Sequence, residues 1–422
     1  MELAEAVQNL YTPEALADPY PYYAVLTERA PVLVTDHLAV VSSYAACSAV
    51  LRDARFGVAD ARWMDRNGPD WRDSAAMRLL DQSMLLRNSP DHERMRRLVS
   101  REFTARRVAG LAPTIERLTG GLCDRMAEAG AAGEPVDFMA EFAYPLPVTV
   151  ISELLGVPEA DRPKFRQWSQ DLTLSLEPFD SWAELAPADA AAVALRDYFA
   201  DLADQHRGAD QRRNRPETAG DGSGLVAALV DVHDEDGGRL TADELFANLA
   251  LLLVAGFETT TNLLGNGLRI LLDRPEAADA LRADPGPAAA YVEEILRFDS
   301  PVQFASRGAL VDIDVEGVTI PAGREVSLLP GAANRDPSRF ADPDRFDPAR
   351  PDNQPMSFGT GAHYCLGSAL ARLEAQIAIP ALLRRFPKLT LAAPPVRRNR
   401  FVLRGYDTLP VFTTGASTSL RG

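Results

Sequence analysis

Cysteine is scarce in this chain: Cys47, Cys123 and Cys365 are the only three among 422 residues. An odd, sparse set without paired spacing argues against a disulfide framework and fits a reducing, cytoplasmic compartment. Histidine numbers five, with no His-x-x-x-His pair, so a zinc site is not expected, and His37, His206 and His233 read as surface residues in polar surroundings. Basic residues are outnumbered, giving a formal net charge of −16, which argues against a nucleic-acid binder because phosphate neutralisation needs clustered cations. Long apolar runs are missing as well. The longest, 249–255, is too short to span a bilayer, and residues 1–13 lack a basic region followed by an apolar run, so neither a membrane anchor nor a signal peptide is expected. No repeat, low-complexity tract or linker appears, and the most polar stretch, 207–224, is loop-sized. What remains is a chain that is 46% hydrophobic, enough to bury a large core, and residues 1–422 read as a single domain.

Most of that chain carries apolar residues at three- and four-residue steps, which predicts helices over 21–29, 44–52, 92–104, 111–128, 190–206 and 368–386. Thr241 and Glu244 form a capping-box pair that opens a long helix over 242–272, with Pro275 beyond its end. Strand character is minor and late, over 309–318, 325–329 and 400–411. The expected fold is mainly α with small peripheral β-sheets.

The segment Phe358-Gly359-Thr360-Gly361-Ala362-His363-Tyr364-Cys365-Leu366-Gly367 leads directly into a helical pattern. A cysteine near a helix N-terminus is biased toward the thiolate by the helix dipole and free backbone N–H groups, and the glycines let the backbone turn tightly around the sulfur. Gly359 and Gly361 do not make a dinucleotide loop, since no third glycine stands at the required spacing and no strand-like run precedes them. The ten residues together resemble the haem-binding signature of cytochromes P-450. That resemblance implies the cytochrome P-450 fold and haem b, iron protoporphyrin IX, bound with Cys365 as axial thiolate and with Phe358, Gly359, His363 and Gly367 around it.

Inside the long helix, Ala255-Gly256-Phe257-Glu258-Thr259-Thr260 interrupts a core-like surface with a glycine, a carboxylate and hydroxyls. Gly256 is expected to leave room beside the helix, and Thr259 to bond back to a carbonyl and loosen the ladder. The segment resembles the oxygen-activating motif of the same family, which places Ala255 and Gly256 beside the haem and gives Glu258 and Thr259 the delivery of protons to dioxygen.

Further matches follow the family's order. Spacing alone makes His92 and Arg96 a solvated pair on one helical face; the resemblance instead makes them propionate contacts, with Arg307 and His363. The usual Asp-Pro-Pro start of that segment is Asn88-Ser89-Pro90 here. Glu294 and Arg297, three apart, with Arg335, resemble the family's structural triad and belong to the fold rather than the chemistry. Offsets from these motifs mark Leu85, Leu251, Val254, Ala255, Val302, Gln303, Phe304, Val402 and Leu403 as a mostly apolar substrate pocket, although core packing accounts for the same residues equally well.

The resemblance implies a monomeric monooxygenase that hydroxylates or epoxidises a bulky apolar small molecule of secondary metabolism. No flavin, nucleotide or four-cysteine segment is fused to it, so a separate ferredoxin and ferredoxin reductase are the expected electron donors. Arg96, Arg97, Arg101 and Arg372 suit an acidic ferredoxin, and a solvated helix face explains them as well. Two other functions stand beside this one. A non-catalytic haem sensor or recruitment module would dispense with the Glu258–Thr259 pair, and a peroxide-driven oxygenase would replace it with an Arg-Pro-like arrangement; here the pair is intact.

Overall fold

The computed structural model describes residues 1–212, 225–226, 229–230 and 240–414. Helix dominates. The helices Tyr20–Arg29, Tyr44–Arg52, Asp91–Val99, Ala112–Ala129, Ala186–Arg212 and Ser368–Arg385 stand where the periodicity places them, with boundaries shifted by a few residues. The segment beyond Val99 tightens to a short 3-10 turn, Ser100–Glu102, so the predicted helix there ends early. The polar stretch that begins at Arg207 continues the helix Ala186–Arg212; its remainder, like His233, lies outside the described residues.

Strands occur early as well as late, contrary to expectation. Val32–Val34 pairs antiparallel with Leu38–Val41, which runs parallel to Glu325–Leu328, itself antiparallel to Ala305–Ala309. These early strands are three and four residues long, too short for alternation to stand out. The strand expected over 309–318 is broken. Ala305–Ala309 ends before exposed Leu310 and Val311, and Ile313–Val315 with Val318–Ile320 forms a separate hairpin. Likewise, 400–405 is not strand apart from an isolated bridge at Leu403, and the strands there are Tyr406–Thr408 and Pro410–Phe412.

By backbone contacts the chain divides into two compact units, each assembled from separated segments. Residues 1–56, 108–147 and 259–422 make the first, which holds the mixed sheet and a core under it of Val41, Cys47, Val50, Ile313, Val326 and Met356. Residues 57–107 and 148–258 make the second. One helix, Ala242–Leu272, carries residues of both. It is long and apolar enough to cross a membrane, yet 78% of its most apolar window is buried, as expected of a core helix. The Thr241–Glu244 box forms as read: Thr241 N–H donates to Glu244 Oε2 at 2.8 Å and Glu244 N–H to Thr241 Oγ1 at 3.1 Å.

Candidate functional site

In the first unit, the cysteine loop is folded by its own backbone and by one neighbouring helix. Cys365 N–H donates to Phe358 O at 2.9 Å and Tyr364 N–H to Gly361 O at 3.1 Å, closing the loop just before the helix Ser368–Arg385. Gly361 sits at φ +73°, and a Cβ there would come within 2.2 Å of Leu51 O, so only glycine permits this approach to the helix Tyr44–Arg52. Arg52 Nε donates to Thr360 Oγ1 at 3.0 Å and fastens the same contact. Cys365 and His363 are half-buried, as are Phe358, Gly359 and Gly367. Apart from their chain neighbours, no atom of the described residues lies within 4 Å of the Cβ position at Gly359 or Gly367.

The other two thiols are sealed in the core. Burial pushes Cys47 up to about 12 and Cys123 up to about 11, so both stay protonated and inert. Arg307, on the strand Ala305–Ala309, has the opposite problem. Desolvation lowers its guanidinium to about 10, and its only hydrogen bond among the described residues goes to Ser306 O at 2.7 Å, with no carboxylate in reach. A desolvated guanidinium without an anionic partner among the described residues is suited to an anion from outside the protein.

In the second unit, His92 is 3% exposed, so the solvated-pair reading fails for it, while Arg96 is half-buried and Arg97 exposed. Their helix, Asp91–Val99, is held by Arg94, which sequence reasoning passed over. Arg94 grips Glu244 with two bonds, 3.0 and 2.7 Å, so the capping carboxylate of the long helix also anchors this one. Asn248, fully buried, was missed too. It accepts from Met84 N–H at 3.0 Å and donates to Glu244 O at 2.7 Å, pinning the turn Met84–Leu86 that carries half-buried Leu85. Asn88, the departure from the usual motif, exchanges bonds with Val58 N–H (2.9 Å) and Val58 O (3.2 Å) and reaches Asp60, so it closes the loop rather than meeting a ligand.

Along the long helix, Leu251, Ala255 and Thr259 recur every four residues as an accessible stripe, with half-buried Gly256 beside it, whereas Val254, Phe257, Glu258 and Thr260 are buried. The helix stays regular through Thr259. Gly256 does not leave open space: a Cβ there would stand 2.7 Å from Cγ1 of Ile151, so the glycine admits the helix Pro145–Leu155 closely. The expected free room is therefore corrected to tight packing.

Back in the first unit, two of the pocket segments meet. Val302 bridges Leu403 and Gln303 N–H donates to Val402 O at 3.0 Å, within a core cluster that includes Phe304 and Phe401. Gln303 is 2% exposed, its amide donating to Ser300 O and lying over Gly331, which marks it as a core residue of that segment. The structural triad also needs revision. Glu294 binds Arg297 at 2.7 and 2.8 Å and receives Asp347 N–H and Asn353 Nδ2, with Arg350 at 3.5 Å. Arg335 stands apart, donating to Phe298 O, pairing with Asp344 and stacking on Tyr20 and Phe298. Arg372, expected on a partner-facing surface, is paired to Glu293 at 2.5 and 3.0 Å.

A half-exposed cysteine in a glycine-shaped loop before a helix, the other two being sealed, is the arrangement a thiolate-ligated haem requires. The cytochrome P-450 family model matches residues 33–284 and 288–403. The chain belongs to the cytochrome P-450 family. It is 41% identical over 409 residues to the cytochrome P-450 monooxygenase PikC of Streptomyces venezuelae, covering 94% of this chain and 91% of that protein. It is also 41% identical over 329 residues to 6-deoxyerythronolide B hydroxylase of Saccharopolyspora erythraea, covering 77% and 76%. Among solved structures, cytochrome P-450 BioI in complex with an acyl carrier protein ligated to hexadec-9Z-enoic acid matches with a TM-score of 0.85 at 36% identity, covering 95% of this chain and 99% of that one. The chain is thus a monooxygenase of a family that binds haem through a cysteine thiolate. The residues present fit that group: Cys365 for its iron, and the anion-seeking Arg307 for a carboxylate.

Proposed function

We propose that Cys365 holds the iron, that His92, Arg96, Arg307 and His363 hold the haem propionates, and that the enzyme hydroxylates or epoxidises a bulky, mostly apolar intermediate of secondary metabolism. A polyketide or macrolide is favoured over a terpene or peptide by the likeness to 6-deoxyerythronolide B hydroxylase, which is named for its action on a macrolactone. When bound, the haem supplies activation of dioxygen and insertion of one oxygen atom into substrate. The chain's own residues do the rest. Glu258, buried, passes a proton to Thr259 Oγ1, which lies on the accessible stripe of the long helix and releases it toward the haem side without admitting bulk water. Leu251, Val254 and Ala255, with Leu85, offer an apolar surface that selects substrate by shape, and Val302, Phe304, Val402 and Leu403 do the same from the first unit. Electrons come from a separate ferredoxin and its reductase, in the cytoplasm, and the enzyme acts as a monomer. The exposed Arg97, Arg101, Arg106 and Arg107, in a chain of net charge −16, suit an acidic donor.

The observation that carries this reading is Cys365 itself, half-exposed in its loop while Cys47 and Cys123 are locked away. The purified ferrous holoprotein with carbon monoxide is expected to show the red-shifted Soret band of thiolate ligation, and Cys365→Ala to lose it. Thr259→Ala is expected to uncouple electron use from product and release peroxide; unchanged coupling would remove Thr259 from the proton path. A panel of macrolactones, terpenes, peptides and acyl-carrier conjugates, scored by the low-to-high-spin shift of the ferric form, decides the substrate class.

A further inference from the structure

The guanidinium of Arg372 meets two side chains of the cysteine loop, Tyr364 and Phe358. Arg372 lies on the second turn of the helix Ser368–Arg385, seven residues beyond Cys365. Its Nε and Nη2 form a fork on the two carboxylate oxygens of Glu293, at 2.5 and 3.0 Å, from the helix Ala288–Phe298. Its Nη1 donates to Tyr364 Oη at 3.2 Å, and its Cζ stands 4.4 Å from the ring centroid of Phe358. Tyr364 is the residue before Cys365, and Phe358 is the residue whose carbonyl receives the Cys365 N–H at 2.9 Å. One planar cation therefore grips both ends of the segment that presents the sulfur. The pair is partly buried, with side-chain exposures of 27% and 22%, so its geometry is fixed by more than a surface ion pair would be.

The same helix also holds the chain that precedes the loop. Glu293 takes Arg372, while its neighbour Glu294, fully buried, takes Arg297, whose guanidinium also holds the carbonyls of Asn334, Pro343 and Arg345. Groups one shell removed from a metal ligand orient it and tune its electronics, and the potential of a thiolate-bound iron follows hydrogen bonding and charge around the sulfur. We propose that Arg372, held by Glu293, is a positioning residue that fixes Phe358 and Tyr364 on either side of Cys365 and sets both the persistence and the reduction potential of the thiolate–iron bond. This rests on the reading of Cys365 as axial ligand.

The pair makes a prediction that loop stiffness alone does not. Arg372→Gln removes a positive charge near the sulfur, whereas Glu293→Gln removes its counter-charge, so the two variants move the haem reduction midpoint in opposite directions: negative for Arg372→Gln and positive for Glu293→Gln. Both break the fork, so both lose the thiolate-type carbon-monoxide band under mild denaturant faster than wild type, by about tenfold. Arg372→Lys keeps the charge but not the fork. It is expected to share the faster loss while its midpoint stays near wild type, and it serves, with Glu293→Gln, if Arg372→Gln does not fold. Arg385→Gln, on the same helix but paired with exposed Asp124, is the control. Variants at Arg372 and Glu293 that match the control in both band lifetime and midpoint would overturn the proposal, as would midpoints shifted in the same direction. A wild-type holoprotein without the thiolate band would instead sink the assignment of Cys365, which separates the two failures.

Discussion

Three thiols of the same intrinsic chemistry sit in three environments, and the environment decides what each can do. At pH 8 a thiol displaced to about 12 is ionised to about one part in ten thousand, and one displaced to about 11 to about one part in a thousand. Iodoacetamide is therefore expected to label the haem-free chain once, at Cys365, and to label the haem-loaded chain far more slowly there; peptide mass mapping reads the result, and modification of Cys47 or Cys123 in the folded chain would contradict their burial. Arg307 illustrates the converse. A base with a folded pKa of about 10 binds fewer protons than the unfolded chain between that value and its ordinary one, so its desolvation penalty is fully present at neutral pH and relaxes only as pH rises through about 10. Replacing it by an apolar residue of similar reach is expected to leave the haem-free chain as stable or more so, while haem is released about tenfold faster. Thermal denaturation of the haem-free form and haem transfer to an apo-globin measure the two halves. The sequence could mark Arg307 only by position; that no carboxylate among the described residues pairs with it is a fact of the fold.

At the scale of an element, the helix Ala242–Leu272 shows what a sequence pattern does and does not contain. Its start was readable because a capping box is local: Thr241 and Glu244 satisfy each other's N–H groups within four residues. The meaning of Gly256 was not, because the space beside a helix is defined by what packs there, and Ile151 arrives from a hundred residues earlier. Gly256→Ala is expected to cost about 1–3 kcal/mol through overpacking, and Ile151→Ala in the same chain to recover part of that loss. Chemical denaturation of the two single variants and the double variant tests the coupling; strict additivity would mean that the two side chains do not meet. Glu244 likewise serves two elements, closing its own box and gripping Arg94. Burial raises its carboxyl, and Arg94 with the Thr241 N–H outweighs this and lowers it overall. The resulting stability is present above the ordinary carboxylate value and is lost as pH falls through the folded one.

For the molecule as a whole, the first unit is fastened across its ends by one buried carboxylate. Asp299 receives Tyr20 Oη at 2.9 Å, Arg404 Nε at 2.6 Å and Arg397 Nη2 at 2.9 Å, and Arg404 in turn holds the carbonyls of Leu16 and Ala17. Burial alone would raise Asp299, but Arg397 and Arg404 outweigh it and hold the group well below the usual carboxylate range. Its contribution is therefore complete above about pH 4 and fades only as pH drops toward the folded value, later than for an ordinary carboxylate. Asp299→Asn leaves the buried Arg404 and the half-buried Arg397 short of a counter-charge and is expected to destabilise the chain by about 3–5 kcal/mol, with a weaker dependence of stability on acid pH than wild type. A urea series run from about pH 2 up to neutral pH checks both claims.

By itself the sequence determined where seven of the helices lie, the cap of the long helix, the cysteine loop and the family, because each is written in residues within a turn or two of one another. It also placed Glu294 beside Arg297, which are neighbours on one helix face. The fold alone decided that Arg350 rather than Arg335 approaches Glu294, that Gln303 lies in the core, that Gly256 admits Ile151, and that Arg372 serves Glu293 and the cysteine loop. Local periodicity reports which face of an element is apolar; which distant side chain fills the space beside it depends on packing across the chain, and that information exists only once the chain has folded.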